Sequence, residues 1–195
     1  MRVYMVRHGE TDWNLDGRVQ GREDIPINSN GIKQAIDTAG AFHDKNIELI
    51  ITSPLIRARK TAEIIADKLG GQVEVKVDDG LIERDFGIRS GMTIDKKKTF
   101  DLFDIEEDGE PLDEVKARVI ATINHYASQY KDSNLIMVSH GAAINAVLSV
   151  VSGGEIGSGI TRLKNACISV FDANGEDIKL IDYNMTADEL KEKNI

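Results

Sequence analysis

The sequence predicts an α/β domain built as a three-layer sandwich. A mainly parallel central sheet with an antiparallel edge strand lies between helices on both faces. Three observations lead there. Short apolar runs alternate with stretches of helical apolar spacing, the pattern of strand–helix–strand units. Such units place helices on the faces of a parallel sheet, which buries the strands on both sides. The last two runs are joined by Ala173-Asn174-Gly175-Glu176, a short turn that reads as a hairpin and so demands antiparallel pairing.

In chain order, Val3–Val6 is the first strand. Asp12–Asn30 is polar and loop-like. Ser29–His43 reads as a helix, with Ile32, Ala35, Ile36, Ala39 and Phe42 on one face. Leu49–Thr52 is the second strand. Pro54–Leu69 is a helix that opens with proline at a plausible first helical position. Val73–Val77 is the third strand. Arg89–Glu110 is weakly patterned and passes from Lys96-Lys97-Lys98 to an acidic run, Asp104–Glu110. Helices over Pro111–Tyr130 and Ala142–Val151 flank a strand at Leu135–Ser139. Strands Cys167–Asp172 and Ile178–Asp182 close the chain's pattern.

The 195 residues suffice for one sizeable core, so residues 1–195 are expected to form a single domain, with a small cap at about 88–110. No apolar run approaches the ~18 residues of a membrane span. The opening Met1–Val6 is too short and too quickly polar for an export signal. One cysteine, Cys167, rules out an internal disulfide and is expected to be a small buried hydrophobe. These features predict a cytoplasmic protein without membrane contact, either monomer or homodimer. A net charge of −9 disfavours nucleic-acid partners. A small phosphorylated ligand remains compatible, because eight of the ten arginines precede residue 90 and arginine suits planar phosphate recognition.

The chemistry-bearing residues sit at strand ends, where open α/β sheets bind ligands. The first strand runs into Arg7-His8-Gly9, and the strand at Leu135–Ser139 runs into His140-Gly141. Gly9 would let the backbone turn sharply toward a ligand. Two strand-end histidines in one parallel sheet share a rim. Arg57, in Thr52-Ser53-Pro54-Leu55-Ile56-Arg57-Ala58, falls on the first turn of a helix, whose free N–H groups favour anions. Glu83, in Leu81-Ile82-Glu83-Arg84, is the candidate general acid. No Asp/His cluster shows metal-ligand spacing, so no metal or cofactor is expected.

These motifs resemble those of the histidine phosphatase superfamily, whose members include phosphoglycerate mutases, fructose-2,6-bisphosphatases and broad phosphomonoesterases. Arg7 through Asn14 matches the family's opening motif and Thr52 through Ala62 its second. Leu81, Glu83, Gly87 and Gly91 match the third, and Ser139-His140-Gly141 the fourth; Asn165 also fits. The resemblance covers nearly the whole chain and implies a phosphoglycerate mutase-like fold. It implies that His8 attacks phosphorus to give a phosphohistidine. Arg7, Arg57 and His140 would surround the phosphoryl group. Glu83 would protonate the leaving alkoxide and then activate water. Asn14, Gln20, Gly21, Gly141 and an inward-turned Arg84 would bind substrate.

The expected function is therefore hydrolysis of small phosphorylated metabolites without metal. The alternatives are a phosphoglycerate mutase and a non-enzymatic phospho-ligand binder. Binding alone is disfavoured because every chemical residue is present. A mutase is disfavoured because only about twenty residues separate Gly91 from Pro111, a short cap that should admit water. Arg89-Ser90 stands where many phosphatase relatives have Trp-Glu, which leaves substrate preference open; Arg89 is expected to be a solvated surface residue, with contact to a second anionic group as the alternative.

Overall fold

A six-stranded sheet forms the middle layer of the protein in a computed structural model that describes residues 1–93, 108–193 and 195. The strands are β1 (Arg2–Arg7), β2 (Ile47–Thr52), β3 (Glu74–Val77), β4 (Asn134–Ser139), β5 (Ile168–Ala173) and β6 (Ile178–Met185), in the order β3-β2-β4-β1-β5-β6. The helices are α1 (Asp12–Leu15), α2 (Ser29–Ala39), α3 (Ile56–Lys68), α4 (Leu112–Gln129), α5 (Gly141–Val151) and α6 (Ala187–Lys193).

β1 runs parallel to β4, with Arg7 opposite Ser139 where both strands end. β2 runs parallel to both β3 and β4. β5 runs against β1 and against β6. The hairpin thus forms as expected, and the strand of reversed direction is β5, second from the edge; β6 is its edge partner.

Successive β1 side chains point to opposite faces, and both faces are covered. Val3 and Met5, with Leu49, Ile51, Leu135 and Met137, pack against α4 and α5. Tyr4 and Val6, with Ile50, Ile136 and Val138, pack against α2, α3 and α6. Cys167 is 1% exposed within the first of these cores, and burial raises its thiol to about 11. Both faces of the central strands are apolar because both are buried, so the polar residues collect at the strand ends.

Several boundaries differ from expectation for local reasons. α2 stops at Ala39, with Gly40 as its cap, so His43 lies beyond the helix. Pro54 precedes α3 instead of opening it; Leu55 is the N-cap, and the Ile56 N–H donates to Asp24 Oδ1 at 2.6 Å. The polar first loop contains α1, held by reciprocal bonds between Thr11 and Asn14. α6 was not expected. Thr186 and Glu189 exchange hydrogen bonds at its start. Lys96–Lys98 and residues 104–107 of the acidic run lie outside the described residues, as does most of the expected cap. Among the described residues no helix is long and apolar enough to cross a membrane.

Candidate active site

The adjoining carboxyl ends of β1 and β4 set the site. His8 extends their pairing by one residue, its N–H donating to the Ser139 carbonyl at 3.0 Å. The chain then turns at Gly9, whose N–H donates to Thr61 Oγ1 at 3.1 Å. A Cβ on Gly9 would fall 2.5 Å from the Gly31 carbonyl oxygen. Glycine is needed here for the close approach of α2, which fixes the backbone beside His8.

The His8 ring is 2% exposed. Its Nδ1 faces the Gly9 carbonyl oxygen at 2.7 Å, so Nδ1 carries the proton and Nε2 keeps its lone pair. Burial, then the Arg57 and Arg7 guanidinium groups, hold this imidazole well below the usual histidine range. The ring is therefore neutral and has one nucleophilic nitrogen.

Arg7 donates from Nη1 to the Leu163 carbonyl at 2.6 Å, while its buried Nε has no hydrogen-bond partner among the described residues. Burial lowers its affinity for protons. Arg57, the second residue of α3, is fully buried. It donates from Nη1 to the Glu23 carbonyl (2.6 Å), from Nη2 to the Gly21 carbonyl (2.7 Å) and from Nε to His140 Nδ1 (3.2 Å). Burial brings it down to about 10, so it stays cationic near neutrality. One guanidinium thus ties the first loop to the end of β4.

His140 is fully buried, and its ring centroid lies 5.2 Å from that of His8. Because Nδ1 accepts from Arg57, a neutral ring carries its proton on Nε2, which faces Ser53 Oγ at 2.7 Å. Burial and Arg57 keep it neutral. Both ring nitrogens are thus engaged by protein groups.

Glu83 is 8% exposed. Its Oε1 accepts from the Arg84 and Ala143 N–H groups at 2.9 and 3.1 Å, and its Oε2 from Ala142 N–H at 3.2 Å. The carboxyl group therefore caps α5, and Oε2 retains a lone pair beyond its one bond. The α3 N-terminus, expected to be open to an anion, has the Asp24 carboxylate on its first N–H.

Arg7, His8, Arg57 and Glu83 line one cavity of about 680 Å³, together with Asn14, Gln20, Gly21 and Gly141. Asn14 Oδ1 accepts from Thr11 N (3.1 Å), Thr11 Oγ1 (3.1 Å) and Asn165 Nδ2 (3.0 Å), which leaves its NH₂ as the group available to the cavity. Gln20 Oε1 lies 3.0 Å from the same Thr11 Oγ1, so the two amide oxygens share its one hydroxyl proton. Val19, Phe86 and Ala142 form a separate apolar cluster on the wall.

Two expected site residues are not on that wall. His140 is buried beside the cavity, with Arg57 Nε on its Nδ1 and Ser53 Oγ on its Nε2. Arg84 donates from Nε to the Glu110 carbonyl at 2.8 Å, and its guanidinium lies over the Phe86 ring. Arg89, expected to be solvated, is instead buried, and it does not line the cavity either. Sequence reasoning missed Arg118. It meets Glu110 at 2.6 and 2.9 Å and donates to the Gly80 and Ile82 carbonyls on the approach to Glu83. It also missed Arg162, which lines the mouth. Neither falls in a motif. Ser53 and Thr61 do, and their positions one residue past a strand and one turn past Arg57 were the available signal.

A family model described as histidine phosphatase superfamily (branch 1) matches residues 3–186. The chain is 39% identical over 185 residues to the "uncharacterized phosphatase PhoE" of Bacillus subtilis (strain 168), covering 95% of each. It is 33% identical over 189 residues to the "probable phosphoglycerate mutase GpmB" of Enterobacter sp. (strain 638), covering 88% of this chain and 85% of that one. Among solved structures, a phosphoserine phosphatase from Entamoeba histolytica in complex with 3-phosphoglyceric acid superposes with a TM-score of 0.78 at 29% identity, covering 95% and 97% of the two chains.

Proposed function

We propose that this chain, which belongs to branch 1 of the histidine phosphatase superfamily and has its phosphoglycerate mutase-like fold, hydrolyses small phosphate monoesters through a phosphohistidine on His8. The observation that carries the reading is the His8 ring. Its proton is committed to the Gly9 carbonyl, and its surroundings keep it neutral.

His8 Nε2 attacks phosphorus and forms a P–N bond as the ester P–O bond breaks, its electron pair leaving on the alkoxide. A protonated Glu83 carboxyl donates its proton to that alkoxide. The resulting carboxylate takes a proton from water, whose oxygen attacks phosphorus while the P–N bond breaks, returning His8 to its starting form. The leaving group thus departs as the alcohol in the first step, and the phosphoryl group as inorganic phosphate in the second. Arg7 and Arg57 stabilise the phosphoryl oxygens, and their positions are fixed before substrate arrives. Asn14, Gln20, Gly21 and Gly141 complete the phosphoryl side. His140 acts by positioning: its neutral Nδ1 holds the Arg57 Nε. Arg84 supports the loop after Glu83 instead of binding substrate.

A second reading, phosphoryl transfer between positions of a phosphoglycerate, rests on the similarity to the GpmB protein. Metal-free assays decide between them. Release of inorganic phosphate from a panel of sugar phosphates, glycerate phosphates, nucleotides and phosphoamino acids is the expected result. Interconversion of glycerate phosphates without phosphate release would favour the mutase. Binding of these compounds without turnover in either assay would overturn both enzyme readings.

A further inference from the structure

We infer that Arg162 reads a second anionic group on the substrate, so that the cavity selects phosphate monoesters whose leaving alcohol carries another acid group. This rests on the phosphatase reading and names its substrate class.

The backbone around Arg162 is pinned at every residue. The Thr161 carbonyl accepts from Asn145 Nδ2 at 2.9 Å, and the Arg162 carbonyl from Asn184 Nδ2 at 3.2 Å. The Leu163 carbonyl accepts from Arg7 Nη1 at 2.6 Å, and the Lys164 N–H donates to Asn184 Oδ1 at 2.8 Å. This strip lies along the cavity mouth and is tied directly to Arg7, one of the two arginines assigned to the phosphoryl group. The Arg162 side chain is the exception. It is exposed at the mouth and makes no hydrogen bond or ion pair among the described residues.

The neighbouring cations at the mouth are already engaged. Lys164 pairs with Glu189 at 3.5 Å. Arg18 pairs with Asp16 at 3.4 Å and donates to the Gly91 carbonyl at 3.0 Å. Arg162 therefore adds a cation beside an Arg7 that burial already disfavours in its charged form, and the two repel. A bound anion would offset that repulsion. The phosphoryl group belongs to Arg7 and Arg57, deeper in the cavity. An anion on Arg162 must therefore lie farther out, on the leaving-group side, beyond the apolar wall of Val19, Phe86 and Ala142. Arg89, the sequence's candidate for this task, is buried off the cavity.

The experiment uses matched pairs. O-Phosphoserine and O-phosphoethanolamine differ by one carboxylate. Fructose 1,6-bisphosphate and fructose 6-phosphate differ by one phosphate. For each pair the ratio of kcat/KM, charged member over reference, is compared between the unaltered protein and Arg162→Ala. The expected result is a ratio above one that falls about tenfold in Arg162→Ala, mainly through KM, as for loss of one charge-assisted contact. Arg162→Lys should recover part of it. Which pair responds identifies the anion as carboxylate or phosphate. Ratios that do not change in Arg162→Ala overturn the inference while leaving the hydrolysis intact. If no compound is hydrolysed, the phosphatase reading fails separately. The same ratios, taken from calorimetric binding constants, then decide the role of Arg162.

Discussion

Arg118 gives the sharpest test of how Glu83 is held. Its guanidinium meets the Glu110 carboxylate through two bonds, of 2.6 and 2.9 Å, and donates to the Gly80 and Ile82 carbonyls at 3.0 and 2.6 Å. The Glu110 side chain is 9% exposed and that of Arg118 20%. Removing one member of a buried pair costs about 3–5 kcal/mol, because the other charge is left desolvated. Here Arg22 stays 3.3 Å from Glu110, and with 42% of its side chain exposed it offers only partial compensation. Arg118→Met should therefore lose about 3 kcal/mol, the lower end of that range. The measurement is urea unfolding at neutral pH. The Ile82 carbonyl adjoins Glu83, so kcat for alkyl phosphates, which need a protonated leaving group, should fall more than kcat for nitrophenyl phosphate. Glu110→Gln keeps the two carbonyl bonds and should narrow that gap. A loss below about 1 kcal/mol, or equal falls in kcat for the two substrates, would refute the reasoning.

Two further outcomes follow from the same geometry. Glu83→Gln should slow transfer of the phosphoryl group from alkyl phosphates to His8 by about 100-fold or more while sparing that step for nitrophenyl phosphate, whose leaving group needs no acid; hydrolysis of the phosphohistidine should slow for both. Equal loss of that first step for the two substrates in single-turnover assays would remove Glu83 from the general-acid role. Stability should also depend on pH, because burial and Arg57 depress both His8 and His140 below the ordinary histidine value of 6.5. The unfolded chain binds more protons than the folded one once pH falls below that value. Stability should therefore be full above it and decline toward the folded pKa values, by about 1.4 kcal/mol per pH unit for each histidine. Glu110 and Asp172, lowered from 4.5 and 3.8, act only at more acid pH. Urea midpoints that stay flat between about pH 7.5 and 5.5 would contradict the neutral buried pair; His8→Asn should roughly halve the slope.

Much of this was legible in the sequence because it is local. Unbroken apolar runs mark strands, and glycine after each strand-end histidine marks the rim. The shared rim of His8 and Gly141 is read from two strand-end His-Gly pairs, whereas the grouping of Arg7, Arg57 and Glu83 with them is read from the motifs the family shares. What was not legible depends on partners far away in the chain. Nothing near His140 indicates that Arg57 and Ser53 occupy its two nitrogens. Nothing near Arg84 indicates that it turns toward Glu110. The Gly9 requirement lies in Gly31, across a tight backbone contact, more than in a turn. α6 was a different kind of miss: Thr186 and Glu189 carry a capping-box spacing that reads directly as a helix start. The two arginines outside any motif, Arg118 and Arg162, have the most to add, because the sequence offered no neighbour to interpret them.

The nucleophile itself is the most direct point of attack. The protein is mixed with excess nitrophenyl phosphate without metal, quenched in alkali during turnover, digested and mapped by mass spectrometry. A phosphoryl group on His8, stable to alkali and lost in acid, is the predicted result, absent from His8→Ala and longer lived in Glu83→Gln. Steady phosphate release with His8 unlabelled throughout, or undiminished in His8→Ala, would contradict the mechanism.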